Sequence, residues 1–220
     1  MSKVLRIGLI ISSAALAASM LFNLQAAETR NTGTLREALR NRKTTRAFAV
    51  GSISRTALDD IVWASCGKTH SSGGTAMRTA PSAGATYPVE LHFIVDKIDS
   101  VQSGIYRYSL EEEKLVLEEG GRFQDQVNEV SRTQPFVALS NIIIVMVYNP
   151  ERIVARYGGK SRDYALLEAG HIAQNALLMA ADLGLASVPK GSFDKDRLAG
   201  LLKLDSSKEP LYMVCIGRQQ

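Results

Sequence analysis

The chain has 220 residues, 45% of them hydrophobic and 22% charged, a composition that excludes disordered and fibrous proteins. Setting aside Lys3 and Arg6 of a leader leaves 24 basic against 22 acidic residues. No basic block carries interleaved aromatics, so nucleic acid is not expected as a partner. Cys66 and Cys215 lie too far apart for a disulfide scaffold or a zinc knuckle, and His70, His92 and His171 are too scattered for a metal cluster. No metal is expected.

Residues 1–26 read as a signal peptide. Lys3 and Arg6 come first, then an apolar run over 7–22 that three serines interrupt. Ala26 or Ala27 offers a small residue for cleavage. The alternative is an uncleaved membrane anchor facing outward, although the run is short for a span. No twin-arginine pair and no lipoprotein cysteine is present. The body is therefore expected in the periplasm or secreted, where Cys66 and Cys215 are free to pair or not.

Residues 27–34 form a polar arm, and 35–220 a single domain. Thr34 caps a first helix, with Glu37 at the capping-box position. A second helix starts near Ser54 and ends before Gly67. Residues 68–78 read as a polar, glycine-rich loop. Over 89–95 the alternation places Val89, Leu91, Phe93 and Val95 on one strand face. Residues 105–108 and 115–117 form a hairpin around an acidic tip, and the apolar run 141–148 is a buried central strand.

The strongest helix spans 162–183 and stops at Gly184, with an alanine-rich stripe from Ala165 to Ala180. A strand at 186–188, a helix at 194–202 and a strand at 211–216 close the chain. Helices and strands without regular β-α-β alternation make the fold class α+β.

Several motifs are rejected. There is no G-x-G-x-x-G and no Walker A segment. Ala80-Pro81-Ser82-Ala83-Gly84 lacks the first glycine of a nucleophile elbow. Glu168-x-x-His171 has half of a di-iron spacing but no second copy, and reads as the polar face of a core helix.

Three segments are kept. Arg42-Lys43-Thr44-Thr45-Arg46-Ala47-Phe48 gathers guanidinium forks, an ammonium and hydroxyls, the donors a phosphate dianion needs. A tight small-residue loop runs from Arg78 to Pro88, and another from Leu183 to Phe193 follows the main helix. In this order, and with the stretch Leu167-Glu-Ala-Gly-His-Ile-Ala-Gln-Asn175 between the second and third, the chain resembles the nitroreductase family. It resembles more closely the SagB-type dehydrogenase branch, and the resemblance covers about residues 36–217.

The resemblance implies a nitroreductase-like fold, with a central mixed or antiparallel sheet flanked by helices. It also implies FMN as cofactor and a homodimer with flavin at the subunit interface. Carried over by position, Arg42, Lys43 and Thr44 would hold the phosphate and ribityl chain, and Arg46 would face the pyrimidine edge. Pro81, Ser82, Ala83 and Gly84 would line the ring through backbone contacts. Lys190 and Gly191 would offer a backbone N–H to flavin N5, and Arg218 is the remaining C-terminal basic residue. Gly170 and Gln174 would pack the main helix beneath the site. No catalytic side chain is assigned.

Three departures stand out. Ala85 occupies a position where many members carry asparagine. Only Arg218 follows the last strand, where many members supply further basic residues. Arg156-Tyr157 replaces the Lys-Tyr pair of peptide azoline oxidases, and an arginine stays protonated, so a base at that position is lost. The expected function is an exported FMN-dependent oxidoreductase with ping-pong hydride transfer between a small-molecule donor and acceptor. The rivals are a SagB-like peptide dehydrogenase or oxidase and a non-catalytic flavin-binding partner protein.

Overall fold

The computed structural model describes residues 33–220, so the leader and all but the last two residues of the arm lie outside the described part. Thr34 caps α1 (Leu35–Asn41): its hydroxyl accepts the Glu37 N–H, and the Glu37 carboxylate accepts the Thr34 N–H at 2.7 Å. Ser54 caps α2 (Arg55–Cys66) through the Ala57 N–H.

The segment expected as a loop over 68–78 is instead an exposed hairpin, β1 (Lys68–Ser72) paired with β2 (Thr75–Arg78). Gly73 and Gly74 both take positive φ, the backbone that a tight two-residue hairpin turn demands. Its polar side chains conceal the pairing, because neither face is buried.

The main sheet is built from β3 (Val89–Val95), β4 (Gly104–Ser109), β5 (Lys114–Gly120), β6 (Ile142–Tyr148), β7 (Ala186–Lys190) and β8 (Glu209–Gly217). Its order is β5-β4-β3-β6-β8-β7, antiparallel throughout. Every residue of β3 and β6 is buried, because helices cover both faces of the centre. Val89, Leu91, Phe93 and Val95 share one face with Ile142, Ile144 and Met146. That face packs under α2 and the long α6 (Ser161–Asp182). The opposite face carries Ile143, Val145, Met213 and Cys215 under α3 (Gln124–Val130), α4 (Pro135–Ala138) and α7 (Lys195–Leu201). A short α5 (Val154–Tyr157) precedes α6.

The layers also decide the cysteines. Cys66 belongs to the α2/α6 layer and Cys215 to the opposite one, so the sheet stands between them and both thiols are free. Burial pushes the Cys215 thiol up to about 12, leaving it an unreactive core residue.

Gly184 ends α6 at φ +68°, and β7 then extends through Lys190, two residues past the expected strand. The helices α3 and α4 were not legible in the sequence.

Candidate functional site

The expected site residues fall into two groups. The first lies along the β7 edge. After α1 the chain runs extended through Arg42 to Phe48, and the Thr45 N–H donates to the Ser187 carbonyl of β7 at 2.9 Å. Phe48 then turns into the core and packs edge-to-face on Phe136 of α4, with ring centroids 5.9 Å apart. The ring lies so close over Gly217 that a Cβ there would stand 2.8 Å from it. The segment is thus pinned at both ends.

Arg218 joins this edge. Its carbonyl accepts the Ala49 N–H, its own N–H donates to the Asn141 side chain, and its side chain lies over Gly51. Asn141 also donates to the Gly51 carbonyl, so one amide ties the chain after β8 to the segment after Phe48.

Lys190 sits at the end of β7, only 6% exposed, and its ammonium donates to Gln134 Oε1 at 3.1 Å. Burial lowers its pKa; Arg132 and Arg46 push the same way, and Cys215 opposes them. Among the described residues, no carboxylate pairs with Arg42, Lys43, Arg46, Arg132 or Lys190. Other cations are paired, as where Arg162 forks onto Glu209 at 2.8 and 2.9 Å, while Arg36, Arg40, Lys97 and Lys160 also have no carboxylate partner among the described residues. Among the described residues, the β7 edge thus gathers five cations with no carboxylate paired to them.

The second group, Pro81 to Gly84, lies elsewhere in the same chain. This loop leads into β3, three strands from β7 and so about 14 Å across the sheet. Among the described residues, no hydrogen bond or ion pair joins it to Arg42 or Lys190. Gly84, Ala85 and Tyr87 all take positive φ, and for Ala85 and Tyr87 that backbone is strained.

The surroundings hold the loop in that shape. Ser82 Oγ accepts the Tyr87 N–H at 2.9 Å, Arg152 donates to the Tyr87 carbonyl, and Arg156 donates to the Gly84 carbonyl. Asn175 of α6 donates to the Thr79 carbonyl. Arg156, at the position expected to carry a base in azoline oxidases, is thus a loop clamp.

Glu168 departs from its expected polar face. It is 3% exposed, and its Oε1 accepts the Val89 N–H at 3.3 Å while Oε2 has no partner. It borders a cavity of about 30 Å³ shared with Cys66, Arg78 and Tyr108. Burial pushes its carboxyl up to about 7, against the Ser82 hydroxyl and the Val89 amide, which favour the anion. His171, three residues on, is exposed, so the two never shared a site. Gly170 and Gln174 are also exposed rather than packed beneath anything in this chain. Beside them Leu166 and Leu167 are 40% and 60% exposed.

Sequence reasoning missed Arg132, Gln134, Arg152 and Glu168. Only Glu168 had left a signal, a lone acid within an otherwise apolar helix stripe.

Comparison with known proteins places these features in a family. The model of the nitroreductase family matches residues 39–218. A Methanocaldococcus jannaschii protein named as a nitroreductase is 31% identical over 185 residues, spanning 84% of this chain and 91% of its own. A nitroreductase crystal structure from Ralstonia eutropha superposes with a TM-score of 0.74 at 27% identity, covering 86% of this chain and 84% of that one. The NADPH:FMN oxidoreductase of Vibrio harveyi, solved with NAD+, shares the fold at a TM-score of 0.61 and 16% identity. It spans 84% of this chain and 69% of that one.

Proposed function

We propose that this chain, which belongs to the nitroreductase family, is an exported FMN-dependent oxidoreductase working as a homodimer. The observation that carries the reading is the β7 edge, where Arg42, Lys43, Arg46 and buried Lys190 have no carboxylate partner among the described residues. A phosphorylated, electron-accepting cofactor is the ligand such an edge fits.

When bound, FMN supplies hydride acceptance and return at one ring nitrogen. The rest is the work of the chain. Arg42, Lys43 and Thr44 would hold the phosphate and ribityl chain, with Arg218, whose side chain lies over Gly51, as a further cation of the site. Arg46 faces the pyrimidine edge and stabilises negative charge there. The backbone of Lys190 and Gly191 presents an N–H to the ring. Pro81, Ser82, Ala83 and Gly84 would line the ring from the second copy, since in one chain their loop leads into β3, three strands from β7. The exposed Leu166 and Leu167 on α6 give that copy an apolar face to cover.

Donor and acceptor use one open face in turn, which gives ping-pong kinetics. A peptide azoline oxidase is disfavoured because Arg156 is already spent on the Gly84 carbonyl. The leader supports location outside the cytoplasm.

The test is the purified body of the protein incubated with FMN. A visible flavin spectrum, release of FMN on denaturation, and turnover with a reductant and a nitroaromatic or quinone acceptor are expected. Flavin bound without turnover would make it a carrier; no flavin uptake at all would end the reading.

A further inference from the structure

Arg152 and Arg156 hold carbonyls of the loop from Pro81 to Tyr87, and a single buried carboxyl of α6 holds it from beneath. Glu168 Oε1 accepts the Val89 N–H at 3.3 Å, just beyond the loop's end. Near the loop's start, Ser82 Oγ accepts the Tyr87 N–H at 2.9 Å and gives its own hydroxyl hydrogen to Glu168. One side chain thus holds both ends of a stretch in which Ala85 and Tyr87 sit at strained positive φ. Glu168 Oε2, by contrast, has no partner among the described residues, although the residue is buried. It borders the cavity of about 30 Å³, which Tyr87 of the loop also lines. Arg78 lines that cavity too but is already committed. Its guanidinium donates to the Cys66 and Leu110 carbonyls at 3.1 and 3.2 Å and lies against the rings of Tyr87 and Tyr108. A buried carboxyl with one oxygen unpaired is far cheaper as the neutral acid than as the anion.

The titratable and charged groups that line the cavity with it are Cys66 of α2, Arg78 of β2, Glu90 of β3, Arg107 and Tyr108 of β4, and Arg152 before α5. Burial pushes the Cys66 thiol and the Tyr108 hydroxyl up, the latter to about 12. Burial also raises Glu90, but Lys208, Asn149 and Arg152 outweigh it and hold that carboxyl below its ordinary range. The arginines keep their charge. Among the groups at this cavity only Glu168, pushed up to about 7 by burial, changes charge near neutrality. We infer that Glu168 is the positioning residue of the Pro81–Tyr87 loop, holding it closed while the carboxyl carries a proton and releasing it when the proton leaves.

The direction follows from linkage. With the loop closed the carboxyl is buried and keeps its proton up to about pH 7; with the loop open, water reaches it and its proton affinity returns toward the ordinary 4.5. The proton's contribution to closure is therefore complete below about pH 4.5 and is lost as pH rises through about 7. Under the flavin reading, on which this consequence rests, Pro81 to Gly84 line the ring. A loop that opens at high pH then lets FMN leave faster.

Amide hydrogen exchange on the purified protein before FMN is added tests the switch without the cofactor. The Tyr87 N–H is expected to lose about tenfold to hundredfold in protection between pH 5 and pH 8. In Glu168→Gln, which keeps an acceptor for the Val89 N–H and cannot ionise, that protection should not change with pH. The amide of Ile144, in the core of β6, reads opening of the whole fold. A Tyr87 amide that exchanges no faster than that of Ile144 overturns the inference, as does the same pH dependence in wild type and Glu168→Gln. The second measurement is FMN release, followed by the return of flavin fluorescence. It should quicken over the same pH range in the wild type and not in the variant. Release that ignores pH while the Tyr87 amide responds to it overturns the link from loop to flavin. Should the wild type take up no flavin, the flavin reading fails alone, and the amide measurement decides the switch.

Discussion

Arg156 donates a hydrogen bond to the carbonyl of Gly84 at 3.0 Å, and a Cβ on Gly84 would stand 2.5 Å from that guanidinium and 2.7 Å from the Tyr157 hydroxyl. The absence of a side chain at one residue is what lets the other reach across. The pair fixes the crest of a loop in which Ala85 and Tyr87 already carry strained backbone.

Gly84→Ala is expected to lose about 1–3 kcal/mol of stability, from positive φ and from displacing Arg156. Thermal or urea unfolding reads it. Gly170→Ala is the control, since its added Cβ meets nothing within 4 Å. In a helix it is expected to gain up to about 1 kcal/mol. A Gly84→Ala variant as stable as the wild type would show that the clamp carries no weight.

Arg46→Gln is expected to keep FMN bound while lowering its reduction potential. Positive charge beside the pyrimidine edge favours the reduced, anionic ring, so removing it disfavours reduction. The size is on the order of 30 mV, equivalent to about 1.4 kcal/mol for two electrons. Spectroscopic redox titration measures it, and an unchanged or raised potential places Arg46 elsewhere.

Glu168 makes stability depend on pH in the direction opposite to an ordinary ion-paired acid. Its carboxyl is pushed up from 4.5 to about 7 by burial, so the folded state binds a proton that the unfolded state has released. That contribution is complete below about pH 4.5 and is lost as pH rises through about 7. The expected fall is roughly 3 kcal/mol, at about 1.4 kcal/mol for each tenfold in proton affinity. Glu168→Gln keeps a carbonyl oxygen for the Val89 N–H and removes the titration. Urea unfolding at pH 5 and pH 8 should show the difference shrink in the variant; equal slopes would mean the carboxyl does not titrate in this window.

Leu167→Glu tests the assembly. The side chain is 60% exposed in one chain, so the charge should leave the fold of a single copy intact. It should split a dimer that buries α6 and, with it, lower FMN affinity. Sedimentation at micromolar concentration with and without FMN reads both, and a variant that stays dimeric with flavin bound moves the interface away from α6.

What the sequence determined by itself was local. The Thr34–Glu37 capping box, the alternation of β3, the apolar run of β6, and the long α6 closed by Gly184 all follow from periods and caps within a few residues. The hairpin of β1 and β2 escaped because its polar faces are both solvated, which leaves no alternation to read. α3 escaped because no side chain caps its start, unlike Thr34 and Asp194 before α1 and α7 of the same length, and α4 because it is a single uncapped turn.

Only the tertiary structure decided how charge is distributed. Lys190 and Gln134 are 56 residues apart, and Arg156 and Gly84 are 72 apart. Glu168 lies 79 residues from Val89. No local period encodes such pairs; they form because sheet order and helix packing bring distant backbone together, and burial then sets the cost of each charge. The same packing placed Arg42 and Lys190 along the β7 edge and Pro81 to Gly84 ahead of the central strand β3.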